Sequence, residues 1–312
     1  MKRIVIALGG NALQQGSILA TSESQLKVIK ETSEYLADLI EKDYEIIITH
    51  GNGPQVGRIL IQNEYSKNIT PAMPIDVCGA MSQGMIGYHI QQSLKNELVK
   101  RKKTLSVLSL VTQVIVDKND ECFKRPTKPI GPFYSKEEAG KLEKNNGYVM
   151  VEDSGRGYRR VVASPKPVKI VELEAIKSLI ESNHIVITVG GGGIPVVEED
   201  GIFKGVPAVI DKDLASEKLA EDIDADILVM LTAVDKVAVN YGKIDQKNLD
   251  RMTVAEAENY IQQGQFPEGS MLPKVEAAVK FASGKEGRVS IVASLKKAKE
   301  AIEGHDGTII TK

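Results

Sequence analysis

The sequence lacks several features that would place it in a special class of protein. Its 312 residues include no Trp and two Cys. Cys78 and Cys122 form neither a disulfide framework nor a metal-binding spacing, which is typical of a reduced, cytoplasmic protein. No segment approaches the roughly 20 apolar residues of a membrane span. The basic start at Met1 is followed by too few apolar residues for a signal peptide.

The chain also lacks an excess of either charge. Lys and Arg number 40, Asp and Glu number 42, and the formal net charge is -2. This balance gives no reason to expect nucleic acid or an anionic membrane as a partner, so any anion site must be local. The four His residues are scattered singly, and neither a catalytic triad nor a His and Cys cluster is evident.

Short apolar segments alternate with helical patterns along the chain, which predicts an α/β fold. Residues 4–8 and 45–50 have the pattern of buried strands, and each is followed by glycines and then by a helix, over residues 21–42 and 58–66. Such strand and helix units build parallel sheets. We predict a single domain over residues 1–312, with an open, mostly parallel sheet sandwiched between helices.

The segment from residue 117 to 167 differs from the rest, because apolar periodicity fades while Pro, Gly and charged residues increase. A long, proline-rich segment inside a compact domain is typical of a stiff functional excursion. We predict a small protruding subdomain, or lid, over about residues 117–167. It would belong to an acceptor-side lobe of about residues 1–215, next to a nucleotide-side lobe of about residues 216–312.

Three glycine-rich loops follow predicted strands. They contain Gly9, Gly10 and Asn11, then Gly51, Asn52 and Gly53, and finally four consecutive glycines over residues 190–193. Ordering each glycine costs of order 0.5–1 kcal/mol relative to alanine, so a run of four favours a backbone that approaches a ligand closely. At the carboxyl edge of a parallel sheet these loops should converge. Each loop alone is also compatible with a tight turn, least so the run of four glycines, and none matches a P-loop.

Three lysines stand in distinctive backbone settings. Lys128 lies between prolines, Lys212 precedes Asp213 at the predicted start of a helix, and Lys274 follows a proline at another helix N-terminus. Each is also compatible with a solvated lysine or an ordinary helix cap. Together with the glycine loops they suit phosphoryl transfer, which needs positioning and charge neutralisation rather than a covalent nucleophile.

These motifs resemble those of the carbamate kinases within the amino-acid kinase family. The matching segments run in order along essentially the whole chain, at residues 8–12, 50–57, 126–133, 190–195, 210–213 and 270–274. The segment around Lys128 is the most specific, since other amino-acid kinases lack that excursion. The resemblance implies a homodimer that reversibly converts ATP and carbamate into ADP and carbamoyl phosphate, commonly run toward ATP at the end of arginine breakdown.

The resemblance also implies residue roles. The acceptor and the transferred phosphate would contact Gly9, Gly10, Asn11, Gly51, Asn52, Gly53, Gly191 and Gly192. The catalytic cations would be Lys128, Lys212 and Lys274, oriented by Asp213. The nucleotide would contact Lys212, Thr232, Ala233, Asp235, Tyr241, Met271, Leu272 and Lys274. Mg²⁺ would ride on the ATP or ADP phosphates, without assigned protein ligands. Ala233 departs from the pattern, since glycine is expected there in many relatives.

Three alternatives stay open at this point. Another amino-acid kinase, of the acetylglutamate or uridylate type, would share the glycine loops. A dinucleotide-dependent dehydrogenase would share the loops on a parallel sheet, and a non-catalytic nucleotide sensor would share the pocket without the chemistry. A long helix over residues 76–101 with Gly79, Gly84 and Gly87 is compatible with close packing or with a subunit interface.

Overall fold

The computed structural model describes residues 1–13, 21–42, 44–153 and 155–312, and for Asn11 the backbone alone. The helices are α1 (Ser22–Ile40), α2 (Gly53–Ser66), α3 (Ile75–Lys100), α4 (Lys136–Asn146), α5 (Leu173–Glu181), α6 (Lys212–Asp222), α7 (Val254–Gln262), α8 (Leu272–Gly284) and α9 (Ala298–Ile302). The strands are β1 (Arg3–Leu8), β2 (Glu45–His50), β3 (Val107–Ser109), β4 (Gln113–Val116), β5 (Lys128–Tyr134), β6 (Val149–Glu152), β7 (Tyr158–Val162), β8 (Pro167–Ile170), β9 (Ile185–Ile187), β10 (Ile194–Glu199), β11 (Ile202–Gly205), β12 (Ile227–Thr232), β13 (Val237–Val239), β14 (Lys247–Leu249), β15 (Arg251–Thr253), β16 (Val289–Ser294) and β17 (Thr308–Thr311). None of these described helices is long and apolar enough to cross a bilayer.

Eight strands form the main sheet, in the order β15, β17, β16, β12, β1, β2, β9, β3. Neighbouring strands are parallel except for β16 and β17, so β15 and β17 run against the other six. Because parallel strands lie in the middle of a covered sheet, they are apolar along their whole length. The apolar runs of β1 and β12 follow this rule.

The main sheet carries a hydrophobic core on each face. Val5 and Ala7 join one core with α5, α6 and α8, whereas Ile4, Ile6 and Leu8 join the other with α1, α3 and α9. Successive side chains of a strand point to opposite faces, so the short run of β1 supplies both cores. The predicted open, mostly parallel sheet between helices is confirmed.

The segment from residue 117 to 167 is more regular than its composition indicates. Strands β5, β7 and β6 form a separate antiparallel sheet, and α4 contacts all three. Helix α4 begins with a capping box between Ser135 and Glu138 and ends at Gly147, which has φ +65°. We call this unit the lid sheet. Few residues of its strands are buried, so the apolar alternation that predicts strands is weak here. The boundaries of the two lobes stay a prediction.

Candidate functional site

A cavity of about 260 Å³ lies at the carboxyl edge of the main sheet. Its lining includes nine of the predicted acceptor-side and catalytic residues: Gly10, Gly51, Asn52, Gly53, Lys128, Gly191, Lys212, Asp213 and Lys274. The loops after β1, β2 and β9 therefore converge, because parallel strands end at one edge. Gly9 and Gly192 lie behind the lining, and the Asn11 side chain lies outside the described residues.

Asp213 is the centre of the charged groups in this cavity. The Lys212 Nζ lies 2.6 Å from its Oδ1 and the Lys274 Nζ lies 2.9 Å from its Oδ2. Asp213 is 2% exposed. Burial opposes ionisation and is the largest single influence on the pKa of this carboxyl, but the two ammonium groups together outweigh it and lower the pKa. Asp213 thus stays ionised and holds both lysines in place.

Lys128 is held by a different carboxylate. Its Nζ lies 2.8 Å from Oδ2 of Asp211, and the other oxygen of Asp211 accepts a hydrogen bond from the backbone N–H of Asp213. Asp211 is thereby the N-cap of α6. One aspartate therefore caps α6 and also connects it to the lid sheet.

The glycines of the cavity serve two different purposes. A methyl group on Gly9 would lie 2.5 Å from the Leu231 carbonyl oxygen, and one on Gly192, which has φ +94°, would lie 2.2 Å from the Ile210 carbonyl oxygen. These two glycines allow close packing beneath the cavity. Gly10 and Gly53, by contrast, have no atom within 4 Å of the corresponding position, and both line the cavity.

Two buried side chains that the sequence analysis did not assign support the loops. Gln83 of α3 donates to the Gly190 carbonyl at 2.8 Å and to the Thr112 carbonyl at 3.1 Å, while its own oxygen accepts from the Thr112 N–H. His50 donates through Nδ1 to the Gly51 carbonyl at 2.9 Å. Burial lowers the pKa of His50 to about 4, so its ring is neutral near pH 7.

Arg159 is a further cation at the cavity that sequence reasoning missed. It lines the cavity from β7, lies over the Phe133 ring at 5.2 Å, and donates from Nη1 to Oδ2 of Asp153 at 3.2 Å. Its Nε is buried, and no residue that the structure describes forms a hydrogen bond with it. The only sequence signal was a charged segment in which Arg156, Arg159 and Arg160 could not be distinguished.

The residues predicted to contact only the nucleotide do not line the cavity. Thr232 ends β12, and its Cα lies 3.7 Å from the position of a methyl group on Gly9. Met271 is the N-cap of α8, and Met271 and Leu272 pack against the core. Ala233, Asp235 and Tyr241 are exposed. These six assignments stay predictions.

The cavity offers no obvious metal cage. Within the described ranges, no group of three or more His, Cys, Asp and Glu side chains is arranged to hold a metal ion. The two carboxylates nearest the lysines, Asp211 and Asp213, are already paired with them. The site is therefore dominated by cations and backbone groups, an arrangement suited to a multiply charged anion.

Known proteins give an independent comparison. The chain matches the family model described as Amino acid kinase family over residues 2–293. It is 58% identical to a carbamate kinase of Clostridium perfringens, over 99% of this chain and 100% of that protein. It is 52% identical to a carbamate kinase of Thermococcus kodakarensis over 100% of both chains.

Solved structures agree with these relatives. A carbamate kinase from Giardia lamblia bound to AMP-PNP matches with a TM-score of 0.94 at 42% identity, covering 100% of this chain and 98% of that one. A UMP kinase from Bacillus anthracis matches at 14% identity with a TM-score of 0.53, over 99% of this chain and 96% of that one, a likeness of fold alone. The resemblance to carbamate kinases is confirmed, and the chain belongs to the amino acid kinase family.

Proposed function

We propose that this chain acts as a carbamate kinase, transferring a phosphoryl group between ATP and carbamate to form ADP and carbamoyl phosphate, in either direction. The observation that carries the proposal is the convergence of Lys128, Lys212 and Lys274 on one glycine-lined cavity. Relatives named carbamate kinase are 50% to 58% identical over nearly the full length. The lid segment around Lys128 distinguishes this function from other kinases of the family.

The lysines are suited to stabilising a transferring phosphoryl group. An ammonium group has three N–H donors. Lys212 uses one on Asp213, and Lys128 uses one on Asp211, so both retain donors for phosphoryl oxygens. Because the aspartates already hold these lysines, little reorganisation is needed as charge develops during transfer.

The acceptor side of the cavity is formed by the start of α2. Its N-cap Asn52 makes no side-chain capping hydrogen bond, and Gly53 and Gln55 line the cavity. Free N–H groups and the dipole at a helix N-terminus favour an anion. Carbamate is an anionic nucleophile, so it needs no general base, and His50, which is buried and neutral, has no such task.

Mg²⁺ is proposed to enter with the nucleotide. When bound, it would neutralise charge on the phosphates of ATP or ADP. The residues fit this arrangement because Asp211 and Asp213 already hold lysines, so the ligands left for the metal are phosphate oxygens and water. Lys274 and the residues around Met271 would contact the nucleotide beside Thr232.

The cellular setting is also part of the proposal. We place the protein in the cytoplasm, where free thiols persist, in keeping with the free Cys78 and Cys122. There it would form ATP from the carbamoyl phosphate of arginine breakdown. It would act as a homodimer.

The proposal is tested by measuring ATP formation from ADP and carbamoyl phosphate. Lys128→Ala and Lys212→Ala should each lower kcat by about 10² to 10³-fold, the loss expected for a preorganised charge contact. Lys141→Ala is the matched control, because Lys141 is an exposed lysine of the lid that forms an ion pair with Glu137. It should retain the wild-type rate.

The same assay separates the alternative functions. In the forward direction, acetylglutamate or UMP is supplied with ATP in place of carbamate. Activity with these acceptors alone would overturn the proposal. Binding of NAD(H) that ADP does not displace would favour a dehydrogenase. Wild-type rates in both Lys128→Ala and Lys212→Ala would refute the roles of these lysines, and nucleotide binding without turnover would indicate a sensor.

A further inference from the structure

A second cavity lies beside the first, between the lid sheet and the start of α3. Its volume is about 230 Å³. Leu60, Ile75 and Ile130 give it an apolar floor that belongs to a small hydrophobic cluster with Val162. Tyr134 and Tyr148 add aromatic walls. An apolar cavity with a few polar groups is the usual form of a small-molecule site.

Arg160 supplies a positive charge to this second cavity. Its guanidinium group lies 3.7 Å from the centroid of the Tyr148 ring, and it forms no ion pair or side-chain hydrogen bond with any residue that the structure describes. Glu64 also lines the cavity, but its carboxylate is paired with Lys67 at 2.5 Å. A guanidinium group that lies over an aromatic ring, without an ion pair to a described residue, is available for bidentate binding of a carboxylate.

Strand β5 connects the two cavities. Lys128 lies two residues before Ile130, which lines both cavities and is paired with Arg160 across the lid sheet. Beyond Ile130 the register shifts, and Gly131 has φ +70°. A ligand on Arg160 would therefore contact the strand that presents Lys128, next to the point at which that strand bends.

We propose that the second cavity is a binding site for a small organic carboxylate with an apolar body, and that its occupancy changes the affinity of the first cavity for substrate through β5. The ring or alkyl body would lie on the apolar floor between the tyrosines, with the carboxylate on Arg160. The effect on substrate rests on the proposed function, whereas the binding itself does not.

Methionine methyl groups allow binding to be measured in the full-length protein. Met73 lines the second cavity, while Met271 lies beside Lys274, so methyl-¹³C methionine gives one NMR reporter for each region. Met73→Leu and Met271→Leu assign the two signals. Titration with sodium benzoate should shift the Met73 signal saturably and leave the Met271 signal in place, also in the presence of saturating ADP.

Charge and residue controls test the recognition. Benzyl alcohol, which has the ring without the charge, should bind about tenfold more weakly than benzoate, and Arg160→Gln should weaken benzoate by a similar factor. Arg160→Lys should restore part of the affinity. Arg156→Gln is the matched control, because Arg156 also lies on an aromatic ring of the lid yet lines neither cavity, and it should bind benzoate normally.

Four outcomes would overturn the binding proposal: no saturable shift of Met73, loss of that shift with ADP, equal binding of benzyl alcohol, or normal binding by Arg160→Gln. If Arg160→Gln also shifts the other methionine signals, the variant has altered the fold. The binding of benzoate by Arg160→Lys and of benzyl alcohol by the wild type then decides whether Arg160 recognises the carboxylate.

The coupling is measured as the KM for carbamoyl phosphate in ATP formation. Saturating benzoate should change it by about fivefold in the wild type and leave it unchanged in Arg160→Gln. An unchanged KM in the wild type would overturn the coupling. Absence of any turnover would instead refute the proposed function, and the Met73 signal would still decide the site.

Discussion

His50 shows how burial determines the charge of one residue beside the cavity. Burial is the main cause of the fall of its pKa from 6.5 to about 4, the hydrogen bond to Gly51 opposes this fall, and Lys212 adds to it. The unfolded chain takes up a proton near pH 6.5, so below this pH it binds more protons than the folded protein. Stability from this residue is fully present above pH 6.5 and is lost as the pH falls toward 4.

We therefore expect the titration of His50 to lower the free energy of unfolding by about 3 kcal/mol as the pH falls from 7 to 4. His50→Asn, whose amide can still donate to Gly51, should show a shallower pH dependence over that range. Urea unfolding of both proteins at several pH values measures the two slopes. His89 is buried in both, so the difference isolates His50, and equal slopes would contradict the prediction.

Gly9 and Gly10 are neighbours with opposite requirements. Gly9→Ala would place a methyl group against the Leu231 carbonyl, whereas Gly10→Ala would place one in open space inside the cavity. We expect Gly9→Ala to destabilise the fold by about 1–3 kcal/mol, through steric strain. Gly10→Ala should leave the melting temperature unchanged and lower substrate affinity. A loss of stability in Gly10→Ala alone would reverse this assignment.

Local chemistry decided which site residues the sequence could predict. Lys212 and Lys274 stand out because they open helices, and the glycines stand out because runs of glycine are costly to order. Gln83 could not be predicted, since one glutamine within a helix is unremarkable until the fold brings Gly190 against it. Arg159 and Asp211 acquire their roles only when the lid sheet meets α6.

Helices α6 and α8 face each other through two buried carboxylates. Asp213 and Glu217 lie one turn apart on α6, opposite Lys274 and Lys280 of α8. Glu217 is 1% exposed, and its Oε1 has no hydrogen-bond partner among the described residues. Burial raises the pKa of Glu217, and Lys280 offsets only part of this effect. The second pair therefore helps to align the helix that carries Lys274.

We expect Lys280→Ala to destabilise the protein by about 1–3 kcal/mol, because it leaves a buried carboxylate without its cation. The double variant Glu217→Gln with Lys280→Ala should recover part of this loss. Lys285→Ala is the control, since Lys285 and its partner Asp224 are both exposed, and its effect should stay within about 1 kcal/mol. Urea unfolding at pH 7 measures all three, and equal losses for Lys280→Ala and Lys285→Ala would contradict this account.

The ends of elements were harder to predict than their existence. The apolar pattern predicts a helix from residue 58, whereas α2 begins at Gly53, because glycines and Pro54 obscure its first turn. Helix α7, by contrast, begins with a capping box between Thr253 and Glu256, whose spacing is visible in the sequence. A helix start that is capped by side chains can be recognised in the sequence, because the capping residues are of characteristic types. A helix start whose backbone N–H groups are left free for a ligand has no such residues.

At the scale of the whole molecule, one face of α3 is left exposed by the described parts of the chain. Val77, Met81 and Tyr88 are exposed and share this face with Gly84. Beside them lies β3, which ends the main sheet among the described strands, and Val111, two residues after β3, is 56% exposed. A groove of about 600 Å³ runs between the helix and this edge. An apolar stripe beside an edge strand is suited to a second copy of the chain, which supports the proposed homodimer.

Met81→Glu and Tyr88→Glu should shift the protein from dimer to monomer, because each would place a charge on the contact face. Ile69→Glu is the control, since Ile69 is 91% exposed and lies before α3 begins. Sedimentation velocity measures the masses. A monomeric wild type would refute the homodimer, and dimers in both variants would place the contact on another face.

The overall architecture was the most predictable level. A half-buried strand is apolar at alternate positions, whereas a continuous apolar run indicates a strand in a sheet covered on both faces. The glycines after β1 and β2 indicate the ligand-binding edge of this sheet. The lid sheet was predicted as an excursion but not as three strands and a helix. Its strands are stabilised by pairing with each other, and this pairing leaves little trace in the hydrophobic pattern.

The pairing of lysines with aspartates in the first cavity bears on how substrates reach it. Lys128, Lys212 and Lys274, balanced by Asp211 and Asp213, leave the cluster with a single net positive charge. A weak net field is largely screened beyond the Debye length of about 8 Å at physiological ionic strength. The cluster therefore attracts anions little from a distance, and a phosphate group would be recognised on contact. Diffusional encounter with ADP or carbamoyl phosphate would then be almost insensitive to salt, and selectivity would arise in the bound state.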